Sequence, residues 1–341
     1  MPCPQPAAPA GSAQRGHRSR RAFARIALLA SLAAGWWVPA LAQPYPAKPV
    51  RVVLPFGPGS ATDTISRVLA EELRVVLGQP FVIEYKSGAS ARIGAEFAAR
   101  APADGYTLFV GTNTSHSANP HLFRKLGYDP VRDFAPISFL ISFTSMLVVD
   151  PRIPANNVAE LVAHLRAHPD RATYAWGNAI SRLAAASLLR TAGVPGLGVP
   201  YKSHPQAVTD VIAGAATLTF VDVVTGHGFV QAGRLRALAV ARGKRSPLLP
   251  DLPAIAETPG FAGFDISSWV GLFAPAGTPR AIVDTLNAAT RKGLGKSEVR
   301  AQFAKLSAEV ETSSPEELAE WVVRQLDNWG RRVRDAGIEP E

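Results

Sequence analysis

The sequence predicts an α/β protein of two domains, each a mostly parallel sheet flanked by helices. Short apolar strands alternate with amphipathic helices along most of the chain, and strand, helix, strand succession marks parallel sheets with crossover helices. The length of 341 residues, 47% of them hydrophobic, suffices for two cores rather than one. Only 18% of residues are charged, while 28 glycines and 29 prolines punctuate the pattern, so the chain reads as compact and rich in loops.

The first 42 residues read as an export signal and stand outside the fold. Arg15, Arg18, Arg20, Arg21 and Arg25 make a basic segment with no acid; an apolar run over 26–38 follows, and Ala40-Leu41-Ala42 forms a small-x-small cleavage site. Cleavage after Ala42 leaves Gln43 first in a mature chain destined for the periplasm. The run of about 13 residues is too short for a membrane span, which takes roughly 20. Ser19-Arg20-Arg21-Ala22-Phe23 also fits the twin-arginine pattern, which leaves the export route, Sec or Tat, open. Loss of these arginines reduces the formal net charge from +9 to +4, too mild for a nucleic-acid-binding surface. The sole cysteine, Cys3, lies in the same segment, so the mature chain is expected to have no disulfide, thiol nucleophile or thiolate metal site.

In the mature part, residues 50–56 form a continuous apolar strand of the kind buried on both faces. A glycine turn leads to a helix whose apolar positions Ile65, Val68, Leu69, Leu73, Val76 and Leu77 recur at helical spacing until Gly78 and Pro80 stop it. A strand over 81–85, a helix over 91–100 and a strand over 107–111 repeat the unit. The alternation resumes with helices over 158–168, 181–191 and 206–213 and strands over 173–175, 198–201, 217–223 and 235–240. A strand over 269–275 and helices over 279–294, 298–306 and 315–336 close the chain and are expected to return to the first domain. The domains are then 43–147 with 266–341, and 148–265, with a hinge where the chain crosses near 147–150 and 264–268.

In open parallel sheets, ligands sit beyond the carboxyl ends of strands, where helix starts present unpaired amides. The turn Phe56-Gly57-Pro58-Gly59-Ser60-Ala61-Thr62-Asp63 is such a place: its glycines allow close approach, Ser60 or Thr62 can cap the helix, and Asp63 completes a capping box. Helix amides there can hold an anion without a positive side chain. The turn lacks the third glycine of a dinucleotide loop and the G-K-[ST] ending of a phosphate loop, so no nucleotide cofactor is expected. No G-x-S-x-G elbow and no H-E-x-x-H motif occurs, and the acids are scattered singly, so no catalytic residue is assigned. His164 and His168 have a zinc-compatible spacing but no third ligand in view, and read as a solvated helix face with no metal. His116 and His204 lie in loops, where ordinary exposure competes with a ligand contact; Lys202, just past a strand end, has the address of a site residue.

Ordered stretches run along nearly all of the mature chain: Tyr45-Pro46-Ala47-Lys48-Pro49-Val50-Arg51, the 55–63 turn, Asp104-Gly105-Tyr106-Thr107-Leu108, Tyr128-Asp129-Pro130-Val131, Asp133-Phe134-Ala135-Pro136, Val199-Pro200-Tyr201-Lys202 and Ala274-Pro275-Ala276-Gly277-Thr278-Pro279. On this set the chain resembles the Bug or TctC family, the extracytoplasmic binding components of tripartite tricarboxylate transporters. The specificity lies in the ordered set, since no single piece decides. The resemblance implies a type II periplasmic-binding, or Venus flytrap, fold that closes on a small carboxylate and catalyses nothing. The ligand class it implies is organic acids and acidic amino acids, held largely by backbone amides and water. It also implies delivery to membrane permease subunits, or presentation to a membrane sensor kinase, by a soluble monomer; an enzyme on the same scaffold is the remaining alternative.

The chain departs from the family pattern at the pocket. Gly57, Ser60 and Ala61 stand where relatives have Pro, Gly and Gly, the loop after Tyr174-Ala175 is about two residues short, and Arg182 replaces a histidine. Ser203 and His204 follow Lys202 in place of a glycine. The expected ligand contacts are the amides of Gly59 to Asp63 with Phe56, Gly57 and Pro58 around them, and Thr112, Asn113, Thr114, Ser115 and His116 on the same domain. Trp176, Gly177, Asn178, Ala179, Ser181, Lys202 and Asp222 are expected from the other side, Asp222 suiting an amine or hydroxyl.

Overall fold

The computed structural model describes residues 1–5, 45–246 and 249–341. The basic run, apolar run and cleavage site of the expected export signal lie outside the described residues. The chain divides after residue 44 into two units; in the first, residues 1–5 are exposed and without helix or strand. The fold is that of the second.

β1 (Val50–Leu54) buries four of its five side chains, as a central parallel strand must. α1 (Ala61–Leu77) presents Ile65, Leu69 and Leu73 on one buried face and ends at Gly78. β2 (Phe81–Tyr85), α2 (Arg92–Ala99) and β3 (Thr107–Thr112) follow, and β2 and β3 both pair in parallel with β1. A π-helical turn (Thr114–Ala118) and the single turn α3 (Asn119–Leu122) lead to β4 (Phe134–Val149), 16 residues long. α4 (Val158–Ala167), β5 (Thr173–Trp176), α5 (Ala179–Thr191), β6 (Leu197–Pro200), α6 (His204–Ala213) and β7 (Leu218–Asp222) repeat the crossover, with β6 and β7 parallel to β5. α7 (Val223–Gln231) and β8 (Arg236–Val240) complete this half. β9 (Ser267–Pro275), α8 (Arg280–Leu294), α9 (Ser297–Ala304), β10 (Ala308–Val310) and α10 (Pro315–Asp335) return to the first.

The strands lie in the order β2-β1-β3-β9-β4-β7-β5-β6, with β8 and β10 also on β4. β4 pairs with β9 from Phe134 to Thr144 and with β7 from Ser145 to Val149, so one strand serves both halves. The α/β architecture is the one the sequence predicts, but the sheet is mixed where mostly parallel strands were expected: every pairing of β4 and β9 is antiparallel. These strands carry the chain between the halves in opposite directions, and antiparallel neighbours need no crossover helix. The sequence pattern assigns no strand to 134–149, because Ser138, Ser142, Thr144 and Ser145 interrupt its apolar run. In the fold Ser138, Thr144 and Ser145 are buried, and the Ser138 hydroxyl bonds to the main-chain oxygens of Phe139 and Ser313. α7 is likewise unanticipated, its helical signal thinned by Gly226 and Gly228.

Alternate residues of β3 separate two cores of the first half. Leu108 and Val110 join Leu54, Ile65, Leu69 and Leu272, whereas Phe109 joins Phe134, Trp269 and Phe273. In the second half Leu147, Val149 and Phe220 face one core, Met146, Val148 and Val221 the other. α10 enters cores of both halves, with Leu318 and Val322 in the first and Trp329 and Val333 in the second. Trp329 is only 1% exposed, so Trp329→Ala should cost about 3–5 kcal/mol through lost burial and an unfilled cavity. Urea unfolding followed by far-ultraviolet circular dichroism measures it; a change below about 1 kcal/mol would mean that this end of α10 does not hold the halves together.

Candidate functional site

The carboxyl ends of β1, β3, β5 and β7 and the starts of α1, α5, α6 and α7 converge on one cavity of about 30 Å³. Phe56, Ser60, Ala61, Thr62, Thr112, Asn113, Thr114, Phe143 and Ser268 line it from the first half, and Asn178, His204 and Asp222 from the second. Larger hollows lie elsewhere, a groove of about 1070 Å³ by Lys48 and Arg51 and an apolar one of about 430 Å³ by Val323. Neither is lined by a buried polar side-chain atom that lacks a partner, whereas the small cavity has two.

On the first half, the turn before α1 uses up most of its own donors. The Asp63 carboxylate accepts from the Gly59 amide at 2.9 Å and the Tyr85 hydroxyl at 2.7 Å, and pairs with Arg67 at 2.9 Å. Burial first, then the bond to Asp63, pushes the Tyr85 hydroxyl's pKa up, which keeps it a donor. Ser60 caps the helix: its hydroxyl accepts from the Asp63 amide at 3.3 Å and donates to the Gly57 carbonyl at 2.8 Å, while its own amide donates to that carbonyl at 3.3 Å. Gly59 takes φ +79°, a conformation that favours glycine. Among the described residues, no hydrogen-bond partner remains for the amides of Ala61 and Thr62, and both residues line the cavity. Of the amides of residues 59–63, those of Gly59, Ser60 and Asp63 are already bonded within the turn. After β3, the Thr112 amide donates to the Ser115 hydroxyl at 3.1 Å and the Thr114 amide to the Thr112 hydroxyl at 3.2 Å, which shapes the turn. Asn113 is 3% exposed; its Oδ1 accepts weakly from the Trp269 amide at 3.4 Å, and its Nδ2 has no partner.

The second half is organised by caps. Asn178 Oδ1 accepts from the Ser181 amide at 2.9 Å and the Ser181 hydroxyl at 3.0 Å. That commits Asn178 Nδ2 to donate to His204 Nδ1 at 3.0 Å. With Nδ1 accepting, the neutral ring carries its proton on Nε2, which is buried without a partner. Asp222 caps α7, one oxygen accepting from the Thr225 amide at 2.7 Å and the other standing 3.6 Å from His204 Nδ1. Gly177 is required by close packing, since a Cβ there would lie 2.4 Å from the Ser203 carbonyl carbon. The Ala179 amide donates across the gap to the Thr114 hydroxyl at 3.2 Å.

Of the residues expected at the site, nine line the cavity: Phe56, Ser60, Ala61, Thr62, Thr112, Asn113, Thr114, Asn178 and Asp222. Gly57, Gly59, Asp63, Ser115, Gly177, Ala179 and Ser181 do not line it but make the hydrogen bonds of its turns, and Pro58 is exposed. Three of the expected residues lie outside the cavity. The His116 ring lies outside the cavity, fully buried and stacked on Phe273 at 4.0 Å with Phe134 at 4.8 Å and Phe109 at 5.8 Å, because the π-helical turn swings it into the aromatic core. Lys202 is exposed, because the chain turns into α6 at Ser203 and brings His204 inward instead. Trp176 is also outside, its ring covered by the Arg182 guanidinium at 4.9 Å; Arg182 pairs with Glu341 at 2.7 Å and brings no cation to the cavity.

Phe143, His204 and Ser268 line the cavity without having been assigned to it. The only sequence signal was for His204, a loop histidine for which ordinary exposure competed with a ligand contact. Among the described residues no three potential ligand side chains cluster as a metal site, and the His164 and His168 rings stand 4.9 Å apart without a third partner.

The family model described as "Tripartite tricarboxylate transporter family receptor" matches residues 65–338. Three solved structures are similar at 33% identity. "R. palustris Rpa4515 with adipate" has a TM-score of 0.84, with 87% of this chain and 100% of that one covered. "Structure of periplasmic binding protein BugD" has 0.83, with 87% and 100% covered. "MatC (Rpa3494) from Rhodopseudomonas palustris with bound malate" has 0.81, with 85% and 100% covered.

Burial pushes the His116 pKa down to about 3, so the folded chain keeps the ring neutral while the unfolded chain takes up a proton near pH 6.5. A depressed folded value means full stability above pH 6.5 and progressive loss as the pH falls towards 3. Between pH 7 and 4.5 this group alone should remove about 2–3 kcal/mol. Urea unfolding of the wild type and His116→Phe at both pH values isolates it: the loss should shrink by that amount in the variant, and equal losses would refute the assignment.

Proposed function

We propose a function from the premise that the chain belongs to the TctC family, the tripartite tricarboxylate transporter family receptors. It is a solute-binding protein and not an enzyme. In our reading it works in the periplasm, captures a small carboxylate in the cavity between its halves, and hands it to the permease subunits of a tripartite transporter. The carboxylates in two similar structures, adipate and malate, support the ligand class.

The observation that carries the reading is the set of donors around one cavity. Asn113 Nδ2 and His204 Nε2 are buried and without partners, and the Ala61 and Thr62 amides stand at the positive end of α1. A buried donor without a partner costs about 1–3 kcal/mol, which an anionic ligand would recover. No Lys or Arg among the described residues lines the cavity, so dipoles rather than a fixed cation would hold the charge. In our reading the two expected domains, 43–147 with 266–341 and 148–265, move about a hinge on β4, near where its partners change. A cavity of about 30 Å³ has room for little more than water. Ligand entry therefore needs the domains to part and the bond between Thr114 and Ala179 to break.

Isothermal titration of protein refolded from denaturant, against carboxylates with and without a second carboxylate or an amine, should find saturable binding. Asn113→Ala should weaken it about ten- to a hundred-fold, the value of a hydrogen bond to a charged group, with little change in Tm. No heat from any carboxylate, together with no solute found by mass spectrometry in native preparations, would sink the proposal.

A further inference from the structure

The charge inventory of the cavity says more about the ligand than the donors do. Asp222 is 4% exposed and stands at the N-cap of α7. One of its oxygens is committed to the Thr225 amide; the other has no hydrogen bond, only His204 Nδ1 at 3.6 Å. That nitrogen already accepts from Asn178, so it has no proton to offer Asp222 in the neutral ring. With no Lys or Arg lining the cavity among the described residues, the free oxygen of Asp222 is a negative end that no cation of the protein answers. Among the donors that remain, Asn113 Nδ2, His204 Nε2 and the two amides of α1 suit a carboxylate.

Resting on the carboxylate reading above, we infer that the ligand is an amino-carboxylate whose ammonium group is received by Asp222, and that Asp222 turns dicarboxylates away. A second carboxylate would meet Asp222 at short range in a cavity with no counter-charge, and like charges brought together out of water repel strongly. An ammonium group supplies both the missing donors and the missing charge. The preference would set this chain apart from the similar structures that hold adipate and malate.

The test is a comparison of matched ligands. β-Alanine, 4-aminobutanoate and 6-aminohexanoate are titrated beside the dicarboxylates malonate, succinate and adipate, with the common α-amino acids added, against the wild type and Asp222→Asn. Asparagine is as good an N-cap as aspartate, so the variant keeps α7 in place, and its Tm verifies this. We expect the best amino-carboxylate to bind the wild type at least ten times more tightly than any dicarboxylate. In Asp222→Asn it should lose at least ten-fold, while the dicarboxylates hold or gain. Dicarboxylates binding the wild type as tightly as amino-carboxylates, or a preference unchanged in the variant, would overturn the inference while leaving the carboxylate reading intact. Failure of both classes to bind would overturn both.

Discussion

The antiparallel ribbon of β4 and β9 is the constraint on which the site depends. One strand pairs with the sheet of each half in turn, β9 as far as Thr144 and β7 from Ser145. The carboxyl ends of β1 and β3 in one half, and of β5 and β7 in the other, are thereby brought to the same gap. Phe143 and Ser268, which line the cavity, are register partners on this ribbon, one residue from the change of partners. The helix starts share a crevice because the strands beside them are ordered about one continuous backbone, and α10 reinforces that order by packing into cores on both sides.

Convergence alone does not make a binding site, because a helix start satisfies much of its own need. At α1, Asp63, Ser60 and the Gly57 carbonyl consume the amides of Gly59, Ser60 and Asp63. At α5, the Asn178 and Ser181 side chains do the same and in passing set the orientation of His204. What is left over at the cavity, among the described residues, includes the two amides of α1, one side-chain amide and one ring nitrogen. Neutral dipoles of this kind hold an anion without burying a cation, whose desolvation would offset much of the attraction.

Much of the fold was legible in the chain because its signals are local. The apolar spacing of α1, the stop at Gly78 and the alternation of strands and helices each depend on neighbours within a few residues, and those elements stand within a few residues of where the pattern places them. β4 was not legible, since its identity as a strand comes from partners at 218–222, 236–240 and 267–275 that make buried serines tolerable. The two loop histidines show the same limit at the site. His116 is claimed by rings from β3, β4 and β9, and His204 is oriented by a cap 26 residues upstream. Nothing in the sequence around either histidine tells them apart.

The substitutions that depart from the family pattern act in different ways, and their separation explains the electrostatics of the cavity. Arg182 could have supplied a cation from the first turn of α5, yet its guanidinium lies on the Trp176 ring and reaches Glu341. Stacking and ion pairing satisfy a planar cation better than a cavity whose nearest donors already face inward. The arginine thus anchors α5 from outside and leaves the interior without a fixed positive charge. His204, by contrast, is turned inward, because Asn178 needs an acceptor for the amide hydrogens its capping role leaves over. Ring and carboxylate therefore stand side by side in the gap, one a donor and the other an acceptor. The polarity across the cavity follows from helix capping, and only then from the residues that line it.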